Sequence, residues 1–128
     1  MQNAEDFAAI QLVLKVYMEG LVWGDTAKLL QAFHPKATAF GHVAGAFEYE
    51  RREAFAQSWK ALAILTDGDA FPSAVISIDV TGDIATAKVT NTCFGDDYTD
   101  YLTLIKDTDR WQIIAKAFYV HPVERKAK

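Results

Sequence analysis

The spacing of the apolar residues changes near Ile76, and this change restricts the fold more than any other feature. Ahead of it, apolar residues recur every three or four positions, as on one face of a helix: Phe7, Ile10, Leu14, Tyr17 and Leu21. From Ile76 onward apolar and polar residues alternate, which is the spacing of a β-strand. Helices first and strands last predict an α+β fold, with the helices packed on one face of a sheet.

The first part of the chain predicts three helices and a short hairpin. The first helix covers residues 4–23, and Asp25 is a suitable N-cap for a second one, which His34-Pro35 ends. A strand at 37–43 and a partner at 47–49 follow, and a third helix covers 51–65 before turn residues at 66–69.

The last part predicts a β-meander. Short turns at 81–83, 95–97 and 107–109 separate four strands: 76–80, 84–94, 98–106 and 111–120. A curved antiparallel sheet with helices across its concave side leaves a cavity, and concave, mostly apolar cavities are the usual ligand sites.

Size and charge restrict the classes of function. The 128 residues correspond to one domain, with an expected ordered core over 4–120 and a tail over 121–128. A net charge of −4 makes nucleic acid and anionic membrane surfaces poor partners. The acidic N-terminus lacks the pattern of a signal peptide and no apolar run could span a membrane, so we expect a cytoplasmic location.

No metal or cofactor is expected. The single cysteine, Cys93, has no partner for an internal disulfide, and the histidines lack the spacing of a metal site. Nucleotide-binding and nucleophile motifs are also absent from the sequence.

Several segments resemble the nuclear transport factor 2-like superfamily, over roughly residues 4–119. They are YMEG at 17–20, GD at 24–25, FHPKAT at 33–38, YTDYL at 98–102 and WQIIAK at 111–116. The last two are similar to the branch labelled putative lumazine-binding. The resemblance implies a cone-shaped α+β fold that is commonly a homodimer packed through the open face of the sheet. It leaves the function open, because the superfamily holds isomerases, dehydratases, polyketide cyclases, hydrolases and binding modules.

A comparison with the ketosteroid isomerases of this superfamily tests one mechanism. Those enzymes use a tyrosine donor, a protonated acid and an aspartate base. By resemblance Tyr17 takes the donor position, Gly41 the base position, and Tyr101 or Leu102 the acid position. Asp100 is adjacent to the acid position, and alternation sends adjacent residues to opposite faces unless a bulge intervenes. The isomerase mechanism is therefore not expected.

Other residues have two interpretations each. Tyr17 is either a donor to a ligand oxygen or a member of the core. His42 could act as a base, but it faces away from the cavity if Gly41 faces inward. Lys116 shares a face with Ile114 by alternation. It either lies in the cavity, where it would bind an anion or pair with an acid such as Asp100, or belongs to a dimer surface.

We predict a homodimeric domain that binds a small apolar or planar molecule and neither nucleic acid nor membrane. The predicted ligand-binding residues are Tyr17, Trp23, Phe40, Trp59, Asn91, Tyr101, Lys116 and Phe118. The alternative is a small isomerase, dehydratase or cyclase in which Asp100 or His42 is the base and Tyr17 the hydrogen-bond donor. A third possibility is an interaction module whose own side chains fill the cavity.

Overall fold

The computed structural model describes residues 4–63, 72–93 and 96–122, which form three helices and six strands. The helices are α1 (Ala4–Trp23), α2 (Thr26–Ala32) and α3 (Arg52–Ala63). The strands are β1 (Phe33–Val43), β2 (Ala46–Arg51), β3 (Ser73–Thr81), β4 (Ile84–Cys93), β5 (Asp96–Asp107) and β6 (Arg110–His121). The turn predicted at 66–69 lies outside the described residues. No helix in the described ranges is both long and apolar enough to cross a membrane.

The strands form one sheet in the order β2-β1-β6-β5-β4-β3. Strands β3 to β6 pair antiparallel in succession, which confirms the meander predicted from the alternation. Strand β1 pairs antiparallel with β2 and parallel with β6. The order therefore joins the N-terminal hairpin to the last strand of the meander.

The helices cover one face of the sheet, called here the inner face. Helix α1 buries four of the five residues of the predicted stripe, with Ile10, Leu14 and Tyr17 at 0% and Leu21 at 1% exposure, whereas Phe7 is 41% exposed. The strands contribute Leu102 and Leu104, both also fully buried. The expected α+β architecture, with N-terminal helices on a curved sheet, is confirmed.

Helix α2 is shorter and strand β1 longer than predicted. Phe33 caps α2 in an extended conformation and pairs with Ile113 of β6, so His34 lies in a strand rather than in a loop. Pro35 falls where the pairing with β6 is interrupted, between Phe33 and Thr38. A proline has no amide hydrogen to donate to a neighbouring strand, so it is tolerated in a strand where the pairing is interrupted.

A β-bulge changes which residues of β6 face inward. Leu104 of β5 pairs with Ile113 and Thr103 pairs with Ala115, which leaves Ile114 as the extra residue. Ile113 is consequently fully buried, and the expectation that Ile114 shares the face of Lys116 while Ile113 takes the other is wrong. Strict alternation fails because a bulge shifts one strand by one residue.

Candidate ligand-binding site

Four polar side chains meet on the inner face. Three adjacent strands, β4, β5 and β6, contribute Asn91, Asp100 and Lys116, and α1 contributes Tyr17. All four are nearly inaccessible, with exposed fractions of 4% for Asn91, 1% for Asp100, 4% for Lys116 and 0% for Tyr17. Polar groups that are buried to this extent require hydrogen-bond or charge partners, because each one loses its hydration.

Asp100 is the centre of this cluster. The Tyr17 hydroxyl donates a hydrogen bond of 2.6 Å to Asp100 Oδ2, and Asn91 Nδ2 donates one of 3.0 Å to the same oxygen. Asp100 Oδ1 and Asn91 Oδ1 are buried and accept no hydrogen bond from any residue that the structure describes. The cluster therefore contains two buried oxygen atoms with unused acceptor capacity.

Lys116 adds a cation to the cluster. Its Nζ lies 3.9 Å from Asp100 Oδ2. Four aromatic rings surround the same nitrogen, with centroids at 4.4 Å for Phe55, 5.3 Å for Tyr17 and 5.6 Å for both Trp59 and Phe118. Aromatic faces attract a cation within about 6 Å, so the Lys116 nitrogen contacts both the rings and the carboxylate.

A cavity of about 230 Å³ opens beside Lys116, between α3, β2 and the inner face of the sheet. Its apolar lining residues are Ala39, Val43, Phe55, Trp59, Tyr98 and Phe118. Its polar lining residues are Lys116, Glu48, Glu50 and Ser58. Ser58 donates a hydrogen bond of 2.7 Å to Glu50, and both belong to the more exposed part of the cavity. The cavity thus has a buried cation at one end and carboxylates at the other.

A phenylalanine ring packs against Gly41, the residue that takes the base position in the comparison with the ketosteroid isomerases. Gly41 pairs with Phe118, and a Cβ atom built on Gly41 would lie only 2.7 Å from ring carbons of Phe118. A side chain at position 41 would therefore displace the ring that forms one wall of the cavity.

A carboxylate stands next to Tyr17, although the acid position of the comparison lacks one. The comparison put the acid at Tyr101 or Leu102, but Asp100 and Leu102 are two residues apart in β5 and share the inner face. Tyr101, between them, is 58% exposed on the opposite, outer face. The comparison thus placed the acid one or two residues further along β5 than Asp100.

Five of the eight predicted ligand-binding residues do not line the cavity: Tyr17 and Asn91 belong to the buried cluster, and Trp23, Phe40 and Tyr101 lie elsewhere. Trp23 is 66% exposed at the end of α1, two positions beyond the last residue of its buried stripe. Phe40 neighbours the inward Ala39 and stacks on Tyr49 with ring centroids 6.4 Å apart. Tyr101 lies on the outer face, as described. Alternation accounts for Phe40 and Tyr101, since residues next to an inward position point outward.

His42, the second candidate base, also faces away from the cavity. It is exposed and its ring lies 5.6 Å from that of Phe47. Among the described residues, no three histidine, cysteine, aspartate or glutamate side chains are grouped to hold a metal ion.

Sequence reasoning did not identify six residues that line the cavity, which are Ala39, Val43, Glu48, Glu50, Ser58 and Tyr98. Helical spacing places Phe55 one turn before Trp59, and the sequence suggests both rings as walls of a cavity. Glu48 and Glu50 alternate along β2, but a short polar strand gives no sign of which face is inward. Ser58 is next to Trp59 and carried no signal.

The fold and the sequence together define the class of protein. A family model described as "Putative lumazine-binding" matches residues 5–119, and the chain belongs to this family of the nuclear transport factor 2-like superfamily.

Individual relatives extend over nearly the whole chain. An NTF-2 like protein of unknown function from Silicibacter pomeroyi DSS-3 is 29% identical, with a TM-score of 0.86 over 94% of this chain and 100% of that one. An NTF2-like protein of unknown function from Shewanella baltica OS155 is 25% identical, with a TM-score of 0.77 over 96% and 99%. The curated protein "Aldolase FrzH" of Cladobotryum sp is 25% identical over 127 residues, which cover 94% of this chain and 95% of that protein.

Proposed function

We propose that the inner cavity binds a small, mostly apolar or planar molecule and that Lys116 contacts an oxygen atom of it. The observation that carries the proposal is the Lys116 ammonium, buried among four rings and exposed to the cavity on one side. A charged group is costly to bury and is retained where it contacts a partner or a ligand.

The size of the cavity restricts the ligand. Its volume of about 230 Å³ lies below the ~300–1,000 Å³ of most drug-sized sites. A molecule of one or two rings fits such a volume. Lumazine, which the family description names, is a planar bicyclic heterocycle with carbonyl oxygens and is a suitable first probe.

The charges of the cavity restrict the ligand further. Lys116 is at the buried end, and Glu48 and Glu50 are near the mouth. A polyanion would meet the two carboxylates before it reached the lysine. A neutral ligand, or one with amine or hydroxyl donors at one end and a carbonyl oxygen at the other, matches this polarity.

Calorimetric titration with lumazine and with cyclohexanone tests binding. We expect saturable binding by the wild-type chain, with weaker binding by Tyr17→Phe and a loss of about tenfold or more in Lys116→Met, because one charged hydrogen bond is worth about 1.5–3 kcal/mol. Lys88→Met is the matched control, since Lys88 also lies over an aromatic ring, Tyr101, but on the outer face. Equal affinity in Lys116→Met and Lys88→Met would remove Lys116 from the site.

The second candidate function is a small enzyme that acts on a carbonyl compound. The hydrogen bond between Tyr17 and Asp100 favours it, since a carboxylate can remove a proton next to a carbonyl group and a neighbouring phenol can donate a hydrogen bond to the enolate oxygen. The relative named an aldolase supports the same class, because an aldol reaction begins by removing a proton next to a carbonyl group.

Exchange of the α-protons of cyclohexanone in D₂O tests this candidate. Wild-type protein should accelerate the exchange and Asp100→Asn should lose about 10²–10⁴-fold, the usual contribution of a positioned base. Asp79→Asn, which changes an exposed aspartate of β3, should keep the full rate. If the wild type and Asp100→Asn exchange the α-protons at the same rate, the enzymatic candidate is contradicted and the binding function is favoured.

We also propose that two copies pack through the outer face. Tyr101 is 58% and Tyr119 56% exposed there, and together with Lys88, Thr99, Ala117, Phe118 and His121 they line a groove. Exposed aromatic patches mark association surfaces, and the family resemblance favours a second copy of the chain. We retain the cytoplasmic location as a proposal on the sequence grounds given above.

A further inference from the structure

Lys116 is a primary amine in an apolar enclosure. Its side chain is only 5% exposed, its nitrogen is within 5.6 Å of four ring centroids, and it lines the inner cavity. Lysine is almost never buried to this extent without a specific reason. Enclosure of a lysine in an apolar pocket is one of the ways in which proteins prepare an amine that attacks carbonyl carbons.

The distance to Asp100 differs from that of a simple ion pair. A lysine that serves only as a counter-ion approaches a carboxylate oxygen to about 2.7–2.9 Å, whereas Lys116 Nζ lies 3.9 Å from Asp100 Oδ2. That oxygen already accepts hydrogen bonds from Tyr17 and Asn91. The lysine is therefore close enough for proton transfer through a small adjustment, and hydrogen bonds from other residues already hold Oδ2 in place.

Asp100 offers a second atom for proton transfer. Its Oδ1 is buried and accepts no hydrogen bond within the described residues. Tyr17 and Asn91 fix the carboxylate through Oδ2, so the position of Oδ1 is also defined. A nucleophile next to a held acid–base group is the arrangement that covalent catalysis requires.

We propose that Lys116 forms an imine with an aldehyde or ketone bound in the inner cavity, with Asp100 as the proton carrier. This inference rests on the proposed binding function and names the ligand class. The Lys116 ammonium first gives a proton to Asp100, and the resulting amine adds to the carbonyl carbon. A proton moves from nitrogen to oxygen, which gives a neutral carbinolamine. Asp100 then protonates the hydroxyl group, water leaves, and a C=N⁺ bond to Lys116 remains opposite an ionised Asp100.

The same carboxylate completes the next step. Asp100 takes a proton from the carbon next to the iminium carbon, and the electron pair of that C–H bond forms an enamine. No oxidant, reductant or metal is needed, and water is the only product released. Glu48 and Glu50 near the mouth favour a neutral or amine-bearing carbonyl compound over an oxo acid.

Reductive trapping tests the inference. The full chain is incubated with cyclohexanone and sodium cyanoborohydride, and intact mass and peptide mapping locate the cyclohexyl group. We expect one group per chain at Lys116 before the exposed lysines react. Lys116→Met should abolish this fast labelling, and Lys88→Met should leave it unchanged. Pyruvate, an anionic probe of similar chemistry, should label Lys116 more slowly than a neutral ketone.

Asp100→Asn separates a chemical role from a structural one. Labelling of Lys116 should slow by about a hundredfold or more, while the calorimetric affinity for cyclohexanone stays within a few fold of wild type. Equal losses of affinity and rate would assign Asp100 a structural role and contradict the proton-transfer step.

Two other outcomes would overturn the inference. Label distributed over exposed lysines, with Lys116 unmodified in the folded wild-type chain, removes the imine, and this result does not depend on whether Lys116→Met folds. If cyclohexanone or lumazine still binds in a Lys116-dependent way, the proposed binding function survives without the covalent step. If neither binds, both proposals fail.

Discussion

Asp100 connects the polar residues of the inner face at the scale of single residues. It receives hydrogen bonds from Tyr17 and Asn91 and lies 3.9 Å from Lys116. A buried carboxylate of this kind is stable only with its partners, so removal of one partner costs more than its contact is worth. The neighbours of Asp100 therefore form one energetic unit.

A double-mutant cycle measures the interaction energy between Lys116 and Asp100. Lys116→Met should lower the free energy of unfolding by about 3 kcal/mol, the low end for a broken buried ion pair, because the Asp100 carboxylate is left without its cation. The double variant Lys116→Met with Asp100→Asn should regain part of that loss. Urea unfolding of the wild type, both single variants and the double variant gives the coupling energy. Additive losses would mean that the two side chains do not interact.

How much of the site the sequence predicts differs from residue to residue. The family resemblance predicted Tyr17 as a donor and helical spacing predicted it as a core residue, and its buried hydroxyl contacts Asp100. Asp100 was named as a candidate base, but its contact with Tyr17 was not predicted, because a local pattern cannot say which strand residue lies opposite a helix residue 83 positions away. Trp23 shows the opposite error, because an aromatic residue near a helix end was included although it lies off the buried stripe.

The elements themselves followed from local patterns, and the irregular points did not. Alternation identified the four strands of the meander, and it failed at the bulge of β6, where Ile114 is the extra residue. Pro35 predicted an end to helix α2 but not the early start of β1. Bulges and early strand starts depend on pairing with distant strands, which local spacing does not contain.

Strand β1 approaches β6 closely at Gly41. Gly41→Ala should lower the free energy of unfolding by about 1–3 kcal/mol, because the new methyl group would contact the Phe118 ring at 2.7 Å. Gly45→Ala is not a suitable control, since Gly45 has a φ of 85°. Ala46→Ser, at an exposed position of β2, should change stability little. Denaturant unfolding that finds Gly41→Ala as stable as wild type would contradict the close packing of β1 and Phe118.

Asp6 attaches the start of α1 to the end of the sheet. It accepts hydrogen bonds from the Trp111 indole at 3.0 Å and from Lys106 at 3.1 Å. These two bonds, the one from Trp111 first, lower the pKa of the Asp6 carboxyl below its usual value. A pKa that is lower in the folded state stabilises the fold above the unfolded value, near pH ~4, and this contribution disappears as the pH falls through the folded value.

The lowered pKa of Asp6 predicts how the effect of Asp6→Asn on stability depends on pH. The melting temperature of the variant should be lower than that of wild type at pH 7, and the difference should shrink as the pH falls below about 4. Asp83→Asn, in the turn before β4, is the control for loss of a surface carboxylate and should show no such trend. A difference that is constant from pH 7 to pH 3 would contradict the role of the ionised Asp6 carboxylate.

At the scale of the whole molecule, the sheet has one face for each proposed task. The inner face carries the buried cluster and the cavity, and the outer face carries exposed aromatic residues such as Tyr101 and Tyr119. Ligand binding and self-association can therefore occur at the same time. The sequence predicted the existence of both faces but assigned Phe40 and Tyr101 to the inner one.

Association through the outer face predicts a change of mass in solution. Light scattering after size exclusion should give a dimer for wild type and a monomer for Tyr101→Glu combined with Tyr119→Glu, because two carboxylates per copy would be buried without partners. Leu12→Glu changes an apolar residue that is 61% exposed on α1 and should leave the dimer intact. A dimer that survives both outer-face substitutions would place the interface elsewhere.

A crystal structure with a bound ketone tests the central claim most directly. Crystals of the wild-type chain soaked with cyclohexanone, and separately with lumazine, should show the ligand between Phe55, Trp59 and Phe118. An oxygen, or the carbon of a C=N bond, should then contact Lys116 Nζ. Ligand density found only outside the inner cavity, with Lys116 still facing Asp100 and the four rings unchanged, would contradict the account.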